Sequence, residues 1–544
     1  MIQRVSGSLL IVAAVAVVFG VRGSAVAAGA PAGATAVPSD VRAVFDKPIY
    51  RNSTWGLRVL DGSKVLVDLN PERPFMIGSV RKVFSVGQLL NAVGGAHRYN
   101  TPVYRTGSID RGVLHGNLIV VASGDLTMGG RTNPDGSIAV SNWDHNEADS
   151  LGNAILTSPD PLAGYRTLAR AVRAAGITRV AGNVVIDDRL FQPFRFRGQF
   201  DVRPIFVNDD VVDLSMRPGG VPGTRTNVAW RPQSAALKID NRLRNGAPKS
   251  ADTLAVKPEF PACIGSPGCT STIGGNLPNG FVPPLTGKPM LVRTVRIVQP
   301  SNYARTVVIE TLAAAGVKVN APAVQANPIG LLPPKGSYRA EDKVAQLTGM
   351  PYSLDAKLVL KISYNIGADT SLVLFGLTQH VNSMDAALRV ERQNLRSHYG
   401  IASNQYHFID GSGGGDTTAT NTAVTRMLAT LAKSPAAKDF VAALPVLGVD
   451  GSLAFVKKFE SDPTLAGAAG NVRAKTGTFV GAAPSAPSGM ILKGQAFGGY
   501  ITTKRGHHLT YQLVVNNVPI KAIDDITEIF QDEGTISAIL WRDY

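Results

Sequence analysis

Two cysteines and eight histidines are all that this chain of 544 residues carries, and each scarcity closes off a class of chemistry. The histidines fall into no metal-ligand spacing and none flanks the cysteines, so neither a metal nor a metal-bound cofactor is expected. No loop ends in the Gly-Lys-Ser/Thr step that cradles nucleotide phosphates. No apolar run beyond the N-terminus approaches about 18 residues, so no later membrane span is expected. Acids are outnumbered, 40 Asp and Glu against 55 Lys and Arg, for a net charge of +15. Yet no dense basic run concentrates that charge. The pattern suits attraction to anionic wall polymers or lipid surfaces and gives no reason to expect a nucleic-acid partner. A fixed-period repeat is absent as well. Apolar content of 44% with 17% charged residues describes an ordinary folded protein rather than a disordered one.

What is present begins with an export signal. Arg4 supplies the positive start, Leu9 to Val21 form a short apolar stretch closed by Arg22, and Ala25-Val26-Ala27 offers small residues for cleavage after Ala27. The stretch is short for a membrane anchor. Cleavage removes two arginines and no acid, which leaves a mature charge of +13. In an oxidising compartment Cys263 and Cys269, with five residues between them in a Pro/Gly-rich loop, read as a small-loop disulfide.

The length implies three or four domains at roughly 150 residues each. After a small-residue lead-in from Gly29 to Pro38, Ser39 caps a short helix to about Phe45. Trp55–Leu60 and Val65–Leu69 flank Asp61-Gly-Ser-Lys64 as a hairpin. Ser79 to Val93 repeats its apolar residues at helical spacing with few charges, the pattern of a buried helix. From about 100 to 340 the texture changes to short strands, such as Asn117–Val121 and Asn183–Ile186, with a helix from Arg166 to Ala175. Each of those strands opens on a Gly-Asn step. Arg217 to Pro289 is loop-rich and holds both cysteines. Beyond 340, helices are expected at 353–361, 369–381, 423–431 and 523–540, with a second hairpin, 496–501 against 509–515, across Lys504-Arg-Gly506.

Three short motifs carry the chemistry. Ser79 and Lys82 stand three apart in Gly78-Ser-Val-Arg-Lys82, one helical turn, so their side chains share a face. Acyl transfer by serine needs its proton removed as the oxygen attacks. A free lysine, with a pKa near ~10.4, is a poor base at neutral pH. A second cation and partial desolvation would lower it, and Lys475 is the available cation. One or two Ser-x-x-Lys matches arise by chance in roughly 500 residues; this one opens a buried helix, where an unpaired lysine is costly. Ser363-Tyr-Asn365 alone reads as a polar turn between helices. Lys475-Thr-Gly477 is rarer by chance, and Thr478-Phe479 continue a strand beside the terminal hairpin, an edge able to bind an extended backbone. Asp410-Gly-Ser-Gly-Gly414 superficially resembles a protease serine loop, but His407 is too local to make a triad, and the segment reads as a glycine turn.

Jointly and in this order, the motifs resemble the active site of penicillin-recognising serine enzymes. Ser79 and Ser363 are 284 residues apart, where serine β-lactamases have far shorter spacing. That insertion looks like the class C low-molecular-mass penicillin-binding proteins, the D-alanyl-D-alanine carboxypeptidase and endopeptidase family. Gly124-Asp-Leu-Thr127, Gly182–Asp187, Pro204–Asp209, Asp410–Gly413 and Gly448-Val-Asp-Gly-Ser452 agree. Tyr364 departs from the small polar or acidic residue common there, and Leu126 from proline.

The resemblance implies an α/β (α+β) fold: a β-lactamase/transpeptidase-like catalytic domain, an antiparallel sheet flanked by helices, interrupted by two smaller inserted domains. The expected boundaries are 1–27 for the signal, 38–100 with 340–544 for the catalytic domain, 101–218 with 296–339 for the second and 219–295 for the third. It implies an exported serine D-alanyl-D-alanine carboxypeptidase, with D,D-endopeptidase activity as a further possibility, acting on peptidoglycan stem peptides and cross-links without metal or organic cofactor. Ser79 would attack, Lys82 take its proton, Ser363 relay it to the leaving amine and Asn365 hold the acyl side chain. Lys475, with Thr476, Gly477 and Thr478, would receive the terminal carboxylate, and the N–H groups of Ser79 and Thr478 would form the oxyanion hole. β-Lactams would acylate Ser79. The rival readings are a β-lactamase, disfavoured by the insertion, and a non-catalytic peptidoglycan-binding scaffold, disfavoured by three intact motifs.

Overall fold

The computed structural model describes residues 36–283, 285–483 and 489–544. The expected signal segment and the lead-in from Gly29 to Thr35 lie outside them. Among the described residues no helix is long and apolar enough to cross a membrane. The chain divides into two compact units. One comprises Val93–Leu358 with Val373–Ala387; the other comprises residues up to Ala92, Val359–Leu372 and Leu388–Tyr544.

The second of these units is built on an antiparallel sheet. Its strands are β1 (Thr54–Asp61), β2 (Lys64–Leu69), β3 (Val472–Ala482), β4 (Met490–Thr502) and β5 (His508–Asn516), in the order β2-β1-β5-β4-β3, with Val518–Pro519 pairing onto β4. Both expected hairpins form. Gly62 and Gly506 sit in their turns at φ +59° and +85°, a region in which a Cβ would clash with the backbone. β3, which carries Lys475-Thr-Gly477, is an edge of the sheet.

Two helices, α1 (Lys82–Val93) and α2 (Ile523–Asp543), belong to this sheet. Ile529, Ile536, Ile539 and Leu540 of α2 share one core cluster with Phe497, Leu513 and Val515 of the strands. Burying each such side chain contributes roughly 1.5–3 kcal/mol. The other sheet face meets the segment that leads into α1. Added Cβ atoms at Gly494 and Gly498 would lie 2.1 Å from the Met76 carbonyl oxygen and 3.0 Å from Val80 Cγ1. From Lys82 to Leu90 every residue of α1 is buried, as its all-round apolar pattern requires.

Several details differ from the sequence expectations. Ser79 lies in a 3-10 turn, Gly78–Arg81, and the α-helix starts only at Lys82. Ser39 is the first residue of its helix, not the cap, a position that Pro38 holds. The helix expected from 369 begins at Asn365, directly after Ser363 reverses the chain at φ +62°. Helices Pro300–Ala314 and Met384–Ser397 were not expected. The first opens on proline, which suits a first helical position but reads as a breaker when that position is unknown.

In the other unit, Leu118–Val121 and Val184–Asp187, the two strands that follow Gly-Asn steps, lie parallel in one four-stranded sheet. Asn183 N–H donates to Asn117 Oδ1 at 2.7 Å, so the two asparagines bind the strand starts to each other. Cys263 and Cys269 are joined as a disulfide. Beneath the surface lies an ionic network. Arg131 donates to Asp144 Oδ2 and Oδ1 at 2.7 and 2.8 Å and also pairs with Asp209. His145 Nδ1 meets Asp213 Oδ1 at 2.7 Å, and its Nε2 meets Asp209 Oδ2 at 3.0 Å.

Burial alone would lower the pKa of His145, but the surrounding carboxylates of Asp213, Asp144 and Asp209 outweigh it and raise it to about 10. A histidine charged more readily when folded than when unfolded adds stability that is complete below the unfolded value and is lost as pH climbs through the folded one. The thermal midpoint of this unit is therefore expected to fall between about pH 6.5 and pH 10. In His145→Gln that slope disappears; calorimetry across the pH range measures it.

Candidate active site

The 3-10 turn brings the first motif together. In such a turn, side chains at i and i+3 eclipse, and Lys82 Nζ lies 2.6 Å from Ser79 Oγ. Lys82 is fully buried, while Ser79 is half-buried. Two further segments converge on the same nitrogen. Lys82 Nζ donates to Asn365 Oδ1 at 2.7 Å and to the Ser412 carbonyl oxygen at 2.9 Å. A buried amine thus has hydrogen-bond partners from three parts of the chain, as its desolvation demands.

Ser363 and Asn365 follow one another across the left-handed reversal at Ser363, both half-buried. For a non-glycine residue that backbone region is sparsely populated and persists where the surroundings impose it.

The third motif arrives by close backbone approach. An added Cβ at Gly477 would lie 2.0 Å from the Ile77 carbonyl oxygen and 2.9 Å from Val80 N; one at Gly78 would lie 2.8 Å from Thr478 N. Only glycines permit this contact between β3 and the turn bearing Ser79. Alternation along β3 puts Lys475 on the face to which Gly477 points, and opposite Lys475 in the register is Gly498, which also faces Val80. Lys475 is fully buried, and its Nζ donates to the Thr476 carbonyl oxygen at 2.6 Å. The Thr476 hydroxyl meets Ser452 Oγ at 2.7 Å, and the exposed Thr478 donates from its hydroxyl to Gln495 Oε1 at 2.8 Å.

Sequence reasoning counted Asp410–Gly413 toward the family resemblance and read the segment as a glycine turn, but gave it no part in the site. It is one, with Asp410 Oδ1 accepting from the N–H groups of Ser412 and Gly413 at 3.0 and 2.7 Å. But the turn also presents the Ser412 carbonyl to Lys82. Ser85 Oγ donates to the Gly411 carbonyl at 2.7 Å, and Arg81 Nε to that of Asp410 at 2.9 Å. Arg81, absent from the expected site, is fully buried, pairs with Glu391 at 2.6 Å and stacks over the Phe408 ring. Burial raises the Glu391 carboxyl above its ordinary range despite Arg81, which lowers it. The available signal was the glycine run itself. Gly413 sits at φ +98°, and a Cβ there would lie 2.1 Å from the Gly78 carbonyl oxygen.

A serine hydroxyl against a buried lysine, with no histidine partner among the described residues and an edge strand alongside, defines a serine acyl-transfer enzyme. The comparisons agree with that class. The family model for the D-Ala-D-Ala carboxypeptidase 3 (S13) family matches residues 38–531, and the chain belongs to this family, the serine D-Ala-D-Ala peptidases. Penicillin-binding protein 4 (dacB) of Haemophilus influenzae has the same fold, with a TM-score of 0.67 at 17% identity over 92% of this chain and 99% of that one. A second structure of it, complexed with a novel β-lactam, gives 0.64 at 18% over the same shares. Bd3459, a predatory peptidoglycan endopeptidase of Bdellovibrio bacteriovorus, gives 0.46 at 14% over 90% and 92%. No curated protein sequence matches the chain.

Gly413→Ala should push the 410–414 turn away from Gly78 and displace the Ser412 carbonyl from Lys82. A displacement near 1 Å in such a site costs on the order of 10²-fold in rate. D-Alanine release from a peptide ending in D-Ala-D-Ala should fall by that order while the fold persists by circular dichroism.

Proposed function

We propose that this chain is an exported enzyme that cleaves the terminal D-Ala-D-Ala bond of peptidoglycan stem peptides through an acyl-enzyme on Ser79, with cross-link endopeptidase cleavage by the same route. Ser79 Oγ attacks the carbonyl of the penultimate D-alanine and its proton passes to Lys82. The N–H groups of Ser79 and Thr478 stabilise the oxyanion, whose charge develops only in the transition state. Ser363 relays the proton to the departing amine, which leaves as D-alanine. Asn365 holds the acyl side of the peptide. Lys475, with Thr476, Gly477 and Thr478, receives the terminal carboxylate, and the open edge of β3 takes the extended backbone. Water releases the acyl group and restores the hydroxyl.

The observation that carries this reading is the 2.6 Å contact between Lys82 Nζ and Ser79 Oγ, taken with the other two contacts of that nitrogen. Asn365 Oδ1 and the Ser412 carbonyl only accept hydrogen bonds. Together with the contact to Ser79 Oγ, these two acceptors aim the amine at the hydroxyl whose proton it is to take. Export is supported by the N-terminal sequence, and inhibition by β-lactams by the likeness to the β-lactam complex of penicillin-binding protein 4. Within the larger insertion, we read residues 219–295 as a module nested inside 101–218 and 296–339.

A fluorescent penicillin tests the reading. Stable labelling is expected, absent in Ser79→Ala and slowed by about 10²–10⁴-fold in Lys82→Met, the range for loss of a positioned base. Rapid hydrolysis of the drug would make the chain a β-lactamase, and no labelling would make it a scaffold. Digestion of purified muropeptides, read by mass, ranks D-alanine release against cross-link cleavage.

A further inference from the structure

The loop Val446–Ser452 takes no part in the steps above, yet it reaches two of the three motifs. Lys361, two residues before Ser363, has a side chain only 2% exposed, and its Nζ meets Asp450 Oδ1 and Oδ2 at 2.5 and 2.7 Å. Asp450 is held in turn. Its Oδ1 accepts from Val446 N–H at 2.9 Å, and its own N–H donates to the Val446 carbonyl at 3.1 Å. Gly451, at φ +62°, lies flat on the same target: a Cβ there would be 2.7 Å from the Lys361 carbonyl oxygen. The next residue, Ser452, meets Thr476 of the third motif at 2.7 Å. The start of the loop is stitched to β3, with Leu447 N–H donating to the Val472 carbonyl at 2.9 Å and Ala474 N–H to that of Pro445 at 3.0 Å.

We propose that this loop sets the spacing between the Ser363 turn and the Lys475-Thr-Gly strand, and that Asp450 is a positioning residue for Ser363, acting through Lys361. The strained reversal at Ser363 needs surroundings that impose it. Immediately before it, a buried ammonium gripped by both oxygens of one carboxylate, with glycine backbone laid on its own carbonyl, supplies such a constraint. The loop is anchored on β3, so the hydroxyl of Ser363 is held in register with the strand that receives the substrate. The inference rests on the proposed role of Ser363 in passing a proton to the leaving amine.

That role makes the test selective. When an amide is cleaved, the C–N bond breaks as the Ser79 ester forms, and the proton from Ser79 must travel through Lys82 and Ser363 to the amine nitrogen. When a thioester of the same acyl group is cleaved, the C–S bond breaks and the thiolate departs without a proton. Asp450→Asn should therefore slow acylation by a D-Ala-D-Ala peptide by roughly 10²-fold, the cost of a misplaced group. It should leave acylation by the matching thioester within about threefold, with Asp450→Glu recovering part of the peptide rate. Equal losses on both substrates would show general loosening of the site, and no loss on either would show a loop without influence; each overturns the proposal. Ser363→Ala, run on both substrates, separates this outcome from failure of the underlying reading, because an equal effect on peptide and thioester in that variant would mean that Ser363 passes no proton to the leaving group. Melting curves of the Asp450 variants establish that the comparison is between folded proteins.

Discussion

The buried amine of Lys82 is the point on which the rest of the site depends. It holds a serine hydroxyl, a side-chain carbonyl from Asn365 and a main-chain carbonyl from Ser412, drawn from positions 79, 365 and 412. Taking a lysine out of water is costly unless its N–H groups are met. The same contacts that satisfy it direct it at Ser79. The contacts that satisfy the amine also tie together the segments that supply them, so the 3-10 turn, the reversal at Ser363 and the 410–414 glycine turn are constrained together.

Glycine is what lets the segments come so close. Gly78 and Gly477 let the turn bearing Ser79 lie against β3, Gly413 lets the 410–414 turn lie on Gly78, and Gly451 lets the neighbouring loop lie on Lys361. At each of these four places an added Cβ would fall 2.0–2.8 Å from backbone atoms. Real side chains do not tolerate such distances. The site is therefore assembled mainly by backbone approach, while side chains supply the chemistry at its centre. Arg81 extends the logic outward: its fully buried guanidinium links the turn bearing Ser79 to the 410–414 turn and to Glu391.

Much of this was legible without coordinates. Both hairpins announced themselves by β-rich runs across glycine turns, and α1 by its apolar repeat, because those signals are local. Ser79, Lys82, Asn365 and the Lys475–Thr478 strand were named from motif type and order, and the family model over residues 38–531 agrees with the resemblance they carry. Arg81, Ser412 and the Asp450–Lys361 pair were not named as site members. Ser412 acts through its carbonyl, which every residue has. Arg81 and Asp450 act through partners 310 and 89 positions away, separations at which no periodicity speaks.

The sequence by itself determined the reaction class. A nucleophile, a base and an anion-binding strand need particular side chains, and side-chain identity is what a sequence records. Tertiary structure alone decided which carbonyls satisfy Lys82, that Ser79 sits in a 3-10 turn and that Ser363 adopts a left-handed backbone. The reason is physical: those outcomes follow from which backbone groups are left to pair once distant segments have packed, and that pairing is a property of the folded chain as a whole.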